Sequence, residues 1–167
     1  AQATGGRLSG ANVRFQRVTT DSRDIRAGDL FIGIRGDRFD GQLFGDQALA
    51  AGAHAVMVAD ASSVTTPDAS LVEVRDTRLA LGALAAFWRR QFSMPLAAIT
   101  GSNGKTTVKE MLASILREAA GPTAVLATAG NLNNDIGMPL TLLRMRDTHR
   151  FAVIEMGMNH LGEISYL

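Results

Sequence analysis

The chain has 167 residues, 46% hydrophobic and 20% charged, with a formal net charge of +1. That length bounds it to one ordinary domain, or a small domain and part of another. The near-neutral charge gives no broad electrostatic case for nucleic acid or an anionic membrane. The lack of cysteine removes disulfides, thiolate catalysis and zinc–thiolate sites.

No apolar run reaches the roughly 18 residues of a membrane-spanning helix, and residues 1–7 lack the apolar core of a signal peptide. The chain begins without Met and stops at 163–167, in what reads as the opening of a helix. These two features predict a piece of a longer protein.

Residues 13–20 alternate partly, as a half-buried strand does. Polar turns at 21–24 and 27–29 precede a strand over 30–34, and a glycine-marked loop follows at 35–41. A helix is expected from Leu43 to Ala51, closed by Gly52. Strands are expected over 55–59 and 71–74. Asp76 or Thr77 can cap the next helix, with Leu81, Leu84, Ala85 and Trp88 on one face. A domain boundary is expected at 92–94. Beyond it, strands at 95–99, 123–127 and 151–154 alternate with helices. The fold class implied is α/β, with a largely parallel sheet whose ligands gather at the carboxyl ends of its strands.

The most informative segment is Thr-Gly-Ser-Asn-Gly-Lys-Thr-Thr at 100–107. It lies between the strand ending at Ile99 and a helix with Val108, Met111, Leu112, Ile115 and Leu116 at helical spacing. Glycines let a backbone approach an anion, and free N–H groups at a helix start point at it. Gly101, Ser102, Asn103, Gly104, Lys105, Thr106 and Thr107 are therefore expected to bind the phosphates of a nucleotide. Lys105 adds positive charge, and the Thr106 hydroxyl is placed to hold Mg²⁺. The loop is shorter than the common Walker A pattern, which needs a glycine where Ile99 stands. The alternative is an ordinary glycine turn with a surface lysine. Four features coincide against it: the preceding strand, the two glycines, Gly-Lys-Thr and the amphipathic helix.

Glu155 ends an apolar strand and can ligate Mg²⁺ or order a ligating water; bonding to nearby loop amides is the alternative. Residues 130–139, rich in Asn and Gly, read either as a donor loop or as an Asx-turn capping a helix from Asn134 or Asp135 through Leu140, Leu143 and Arg144. His160 could bind phosphate or metal, or be a plain surface residue. The loops at 20–23 and 35–41 could together hold a base and a diphosphate, or be solvated turns with ion pairs.

Taken together, these motifs resemble the Mur ligases of peptidoglycan synthesis. The resemblance covers nearly the whole chain. It rests on 20–23, 28–31, 38–41, 100–107, 130–139 and 155–164. Gly-Asn-Leu-Asn-Asn-Asp-Ile-Gly and Glu-Met-Gly-Met-Asn-His-Leu-Gly-Glu-Ile align it with the branch that adds D-alanyl-D-alanine.

The resemblance implies a small N-terminal α/β domain for a UDP-muramoyl peptide over 1–93. It implies the start of a parallel-sheet ATPase domain, incomplete, over 94–167. It also implies ATP and Mg²⁺ as cofactors, with UDP-N-acetylmuramoyl-tripeptide and D-alanyl-D-alanine as partners. Lys105 would act on the ATP phosphates, and Thr106 and Glu155 on Mg²⁺. Asn131, Asn133, Asn134 and His160 would face ATP or the UDP-substrate, and Ser22 and Arg23 would lie near the UDP moiety. A monomeric cytoplasmic enzyme is expected, with these residues alone inactive. The competing classes are a P-loop kinase or NTPase and a non-catalytic UDP-sugar-binding module.

Overall fold

The computed structural model describes residues 1–36 and 39–167; Asp37 and Arg38, part of the loop expected to hold a base and a diphosphate, lie outside them. The chain gathers into two compact units, Ala1–Leu84 and Ala85–Leu167. The division falls inside a helix, ahead of the boundary expected at 92–94.

The first unit is built on a five-stranded sheet. Its strands are β1 (Arg7–Ser9), β2 (Arg17–Thr19), β3 (Asp29–Ile32), β4 (Ala55–Val58) and β5 (Leu71–Glu73), in spatial order β1-β5-β4-β3-β2. β2 to β5 run parallel, and β1 joins the edge antiparallel to β5. The sheet is thus mixed, and β1 was not expected: three residues without clear alternation leave no periodic signal.

β3 and β4 are buried along their whole length, as central parallel strands are. Phe31, Val56, Val58 and Leu71 form the core with Ala48 and Ala53. The helix expected over 43–51 is instead a 3-10 turn, Gly41–Phe44, capped by Asp40, leading into α1 (Gly45–Ala50). α2 (Thr77–Arg89) starts where Asp76 Oδ1 accepts the amides of Arg78 and Leu79 at 2.8 and 2.9 Å.

The second unit carries β6 (Leu96–Ile99), α3 (Lys105–Ala120), β7 (Val125–Ala127), α4 (Gly137–Leu142), β8 (Phe151–Glu155) and α5 (Glu163–Tyr166). Its sheet is wholly parallel in the order β6-β8-β7. Alternation along β8 fills both faces. Ala152 and Ile154 join Leu126, Met138 and Met145, with Trp88 and Phe92 packed against them. Val153 turns the other way, to Ala113 and Val125 beneath α3.

α3 differs from expectation in its buried face. Lys109 and Ala113 are buried, with Leu112 and Leu116 half-buried. Val108, Met111 and Ile115 stand 52–63% exposed. The pattern therefore spans two faces, and only one packs on the sheet. α4 ends at Leu142 rather than reaching Arg144, because the chain turns there with Arg144 N bonded to Thr141 O.

Candidate functional site

The phosphate loop runs from the end of β6 to the start of α3. Gly104 takes φ +75°, a left-handed conformation that turns the chain into the helix and that glycine adopts without steric cost. Among the described residues no hydrogen bond engages the amides of Ser102 to Thr107; the first intrahelical bond is Val108 N to Gly104 O, 3.0 Å. A helix start always leaves such donors over, and here they lie on an exposed loop. Lys105 folds back across it, its Nζ donating to Gly101 O at 2.8 Å. The result is a row of N–H groups with an ammonium beside them, complementary to an oligophosphate.

Glu155 reaches the mouth of this loop because β8 pairs with β6 in register, Ile99 opposite Glu155. Its side chain is 2% exposed. Oε1 accepts from Asn133 Nδ2 at 2.7 Å, and the Glu155 amide donates to Thr128 Oγ1 at 2.9 Å. Oε2 is buried without a hydrogen-bond partner among the described residues. A buried carboxylate oxygen left over in this way suits a cation, and Thr106, in the first turn of α3, carries another hard oxygen. No group of three or more His, Asp or Glu converges among the described residues. That set still fits Mg²⁺, which keeps several waters and takes substrate phosphates as ligands.

A cavity of about 270 Å³ opens beside the loop, lined by Lys105, Asn133, Asn134, Asp135, Gly157 and Glu163 among others. The asparagine run divides between its two readings. Asn134 Oδ1 accepts the amides of Gly137 and Ile136, at 2.8 and 3.3 Å, which starts α4. Asn133 instead spends its amide on Glu155, and its carbonyl accepts from Gly157 N at 2.8 Å. Gly137 is needed because a Cβ there would lie 2.5 Å from Leu132 Cα. Asn131 and His160 do not line the cavity.

His160 Nδ1 lies 3.0 Å from Glu163 Oε1, while Glu163 Oε2 accepts the amides of Asn159 and His160. The Asn159 amide, then the His160 side chain and amide, hold the Glu163 carboxyl down to about 2. His160 is thus engaged within its own loop.

The first unit has a separate groove of about 510 Å³, where Thr20, Asp21, Ser22 and Arg23 face Phe39, Gly41 and Phe44. Arg23 makes a two-pronged bond to Asp21, at 2.9 and 2.8 Å, and this holds the Asp21 carboxyl down to about 2. The groove joins the two loops that the sequence offered for a base and a diphosphate.

Sequence reasoning missed Lys109 and Thr128. Lys109 is fully buried, its Nζ donating to Thr128 O at 2.9 Å and lying 2.8 Å from Glu110 Oε1 and 3.9 Å from Glu155 Oε2. The available signal was its place one helical turn after Lys105, three residues before Leu112.

A parallel sheet, an open amide loop at one strand end and a buried carboxylate at the next define an α/β protein of the phosphate-loop class. Comparison with known proteins narrows the class. Residues 14–89 match the model described as Mur ligase family, catalytic domain, and residues 99–167 match the Mur ligase middle domain. The chain belongs to the Mur ligase family.

It is 48% identical to the UDP-N-acetylmuramoyl-tripeptide–D-alanyl-D-alanine ligase of Escherichia coli, over 96% of this chain and 34% of that protein. Identity to the Bacillus subtilis ligase of the same name is 42%, over 90% of this chain and 32% of that protein. The crystal structure of MurF from Acinetobacter baumannii superposes with a TM-score of 0.88 at 43% identity, covering 99% of this chain and 36% of that one. MurF of Thermotoga maritima, solved in complex with ADP, gives 0.78 at 33% identity, covering 90% and 34%. The chain spans about a third of the length of the relatives it matches. Among the described residues no helix is long and apolar enough to cross a membrane.

Proposed function

We propose that the protein to which this chain belongs is an ATP-dependent ligase. It joins D-alanyl-D-alanine to UDP-N-acetylmuramoyl-tripeptide through an acyl phosphate. The reading is carried by the open amide run from Ser102 to Thr107, with Lys105 across it and Glu155 at its mouth. The names of relatives up to 48% identical support it.

A carboxylate is a poor electrophile, so the peptide's terminal carboxyl must first take the γ-phosphoryl group of ATP. The amine of the dipeptide then attacks the acyl carbon, and phosphate leaves with the former carboxylate oxygen. The reaction brings two anions together, so the site's main task is to offset charge at fixed geometry. The amides of 102–107 receive phosphate oxygens, and Lys105 exchanges its bond to Gly101 O for one to phosphate. Thr106 and Glu155 would hold Mg²⁺, which would supply positive charge to offset that of the phosphates. Asn133 keeps Glu155 oriented from behind. Asn131, Asn134 and His160 are assigned to the approach of ATP or the UDP-substrate.

We assign residues 1–93 to the UDP-muramoyl peptide and 94–167 to ATP. In the first part, Ser22 and Arg23 lie in a groove with two aromatic rings suited to a base and its phosphates. Such a ligase acts as a cytoplasmic monomer, where ATP and UDP-linked precursors are found. The present 167 residues are expected to bind without ligating. Titration with ATP and with UDP-muramoyl-tripeptide tests this reading. Binding of both supports it, ATP alone points to a kinase or NTPase, and the UDP-substrate alone points to a non-catalytic sugar-nucleotide module.

A further inference from the structure

We propose that Lys109 is a positioning residue of the phosphate site: its buried ammonium, anchored on Thr128, holds the Glu155 side chain turned so that Oε2 is offered to a divalent cation. The inference rests on the nucleotide reading above and extends it to a residue that contacts no phosphate.

A lysine with no exposed surface is uncommon unless it is paired. The partners of Lys109 converge from three elements. Thr128, just past β7, accepts from Nζ through its carbonyl at 2.9 Å. The same Thr128 accepts the Glu155 amide through its hydroxyl at 2.9 Å, so one residue ties the ammonium to the end of β8. Glu110 Oε1 lies 2.8 Å from Nζ, but its side chain is 57% exposed and could find water instead. Glu155 has no such recourse, with its side chain only 2% exposed. Asn133 fixes Oε1 and leaves Oε2 without a hydrogen bond, 3.9 Å from Nζ.

That distance is too long for a hydrogen bond and short enough for strong attraction where water is excluded. The arrangement holds the Glu155 side chain in place without consuming the oxygen that a cation needs. A hydrogen bond to Oε2 would have occupied a lone pair the metal needs; at this range the lone pairs of Oε2 stay open. Outer partners of this sort commonly account for a 10- to 100-fold difference in metal affinity.

The test is an equilibrium titration of this chain with tripolyphosphate, with and without Mg²⁺, on Lys109→Met, Glu155→Gln and the double variant. Tripolyphosphate probes the phosphate site without requiring any contact to a base. We expect Lys109→Met to weaken the Mg²⁺-supported affinity about 10- to 100-fold and the Mg²⁺-free affinity by much less. On the Glu155→Gln background the same substitution is expected to change it by under about threefold, since coupled residues are not additive. A lysine that only fills the core would lower the melting temperature and leave the Mg²⁺ dependence alone; that result, or additive effects, overturns the assignment. If Lys109→Met fails to fold, the double variant, which removes both charges, is compared with Glu155→Gln. Failure of both to fold assigns Lys109 to the fold alone and likewise overturns the proposal. Absence of any Mg²⁺-supported binding by the unaltered chain defeats the nucleotide reading first, and this assignment with it.

Discussion

The two regions proposed to face ligands handle charge in opposite ways. In the first unit the guanidinium groups of Arg23 and Arg17 are already matched. Arg23 pairs with Asp21, and Arg17 bridges Asp24 and the buried Asp29 at 2.8 and 2.6 Å. In the second unit the amides of 102–107 have no partner among the described residues, and Glu155 Oε2 has none either. A pre-matched arginine must exchange one anion for another, so it contributes selectivity more than affinity. A row of unmatched amides gains a full set of charge-assisted bonds when phosphate arrives. Under the proposed function, the contrast would put recognition in the groove of the first unit and binding strength in the loop of the second.

The largest expected effect falls on the loop. If the full-length protein is the proposed ligase, Lys105→Ala in it should lower turnover by about 10²- to 10³-fold, the scale for losing one preorganised electrostatic group. UDP-substrate binding should stay nearly unchanged, as a steady-state assay beside a binding titration would reveal. Arg23→Ala should do the reverse and do less of it. It should weaken UDP-substrate binding by under about tenfold with turnover at saturation kept, since exposed ion pairs contribute little. Equal losses from the two variants would erase the contrast.

The scaffold beneath the second site should be more sensitive than its surface. Ile154→Ala, next to Glu155 on β8, is expected to destabilise by about 2–5 kcal/mol in denaturant unfolding. Gly137→Ala should cost about 1–3 kcal/mol by forcing the Leu132 backbone away, and should loosen Asn133 with it.

The smallest effect is a local one with pH. Glu163 has its folded value depressed from 4.5 to about 2, so its hold on the 159–160 amides is complete above about 4.5. That hold is lost as the pH falls toward 2. Amide exchange at Asn159 and His160 should therefore be protected, relative to Glu163→Gln, above pH 4.5, and the difference should vanish only below about pH 2.

Much of this was legible in the sequence, and for identifiable reasons. The strand, glycine loop and helix at 95–116 carry local signals, so Lys105 and the amide run could be placed from spacing alone. Glu155 was legible because it ends an apolar run. The antiparallel β1 was not, because its pairing with β5 is set by contacts far apart in the chain. Lys109 hid behind its charge: a lysine beside a glutamate on a helix reads as solvent-facing, and only the sheet beneath α3 makes it a core residue. The roles of Asn133 and Asn134 look alike in sequence and separate only when Glu155 and Gly137 are in place.

The amides of Ser102 to Thr107 are expected to form an oligophosphate cradle, and nitrogen-15 NMR tests that directly. Addition of tripolyphosphate with Mg²⁺ should shift the backbone amide signals of 102–107 together, with smaller changes near Glu155. The Lys105→Ala variant should need far more ligand to reach the same shifts. Signals of 102–107 that stay fixed while others move, or that do not respond at all, would contradict it.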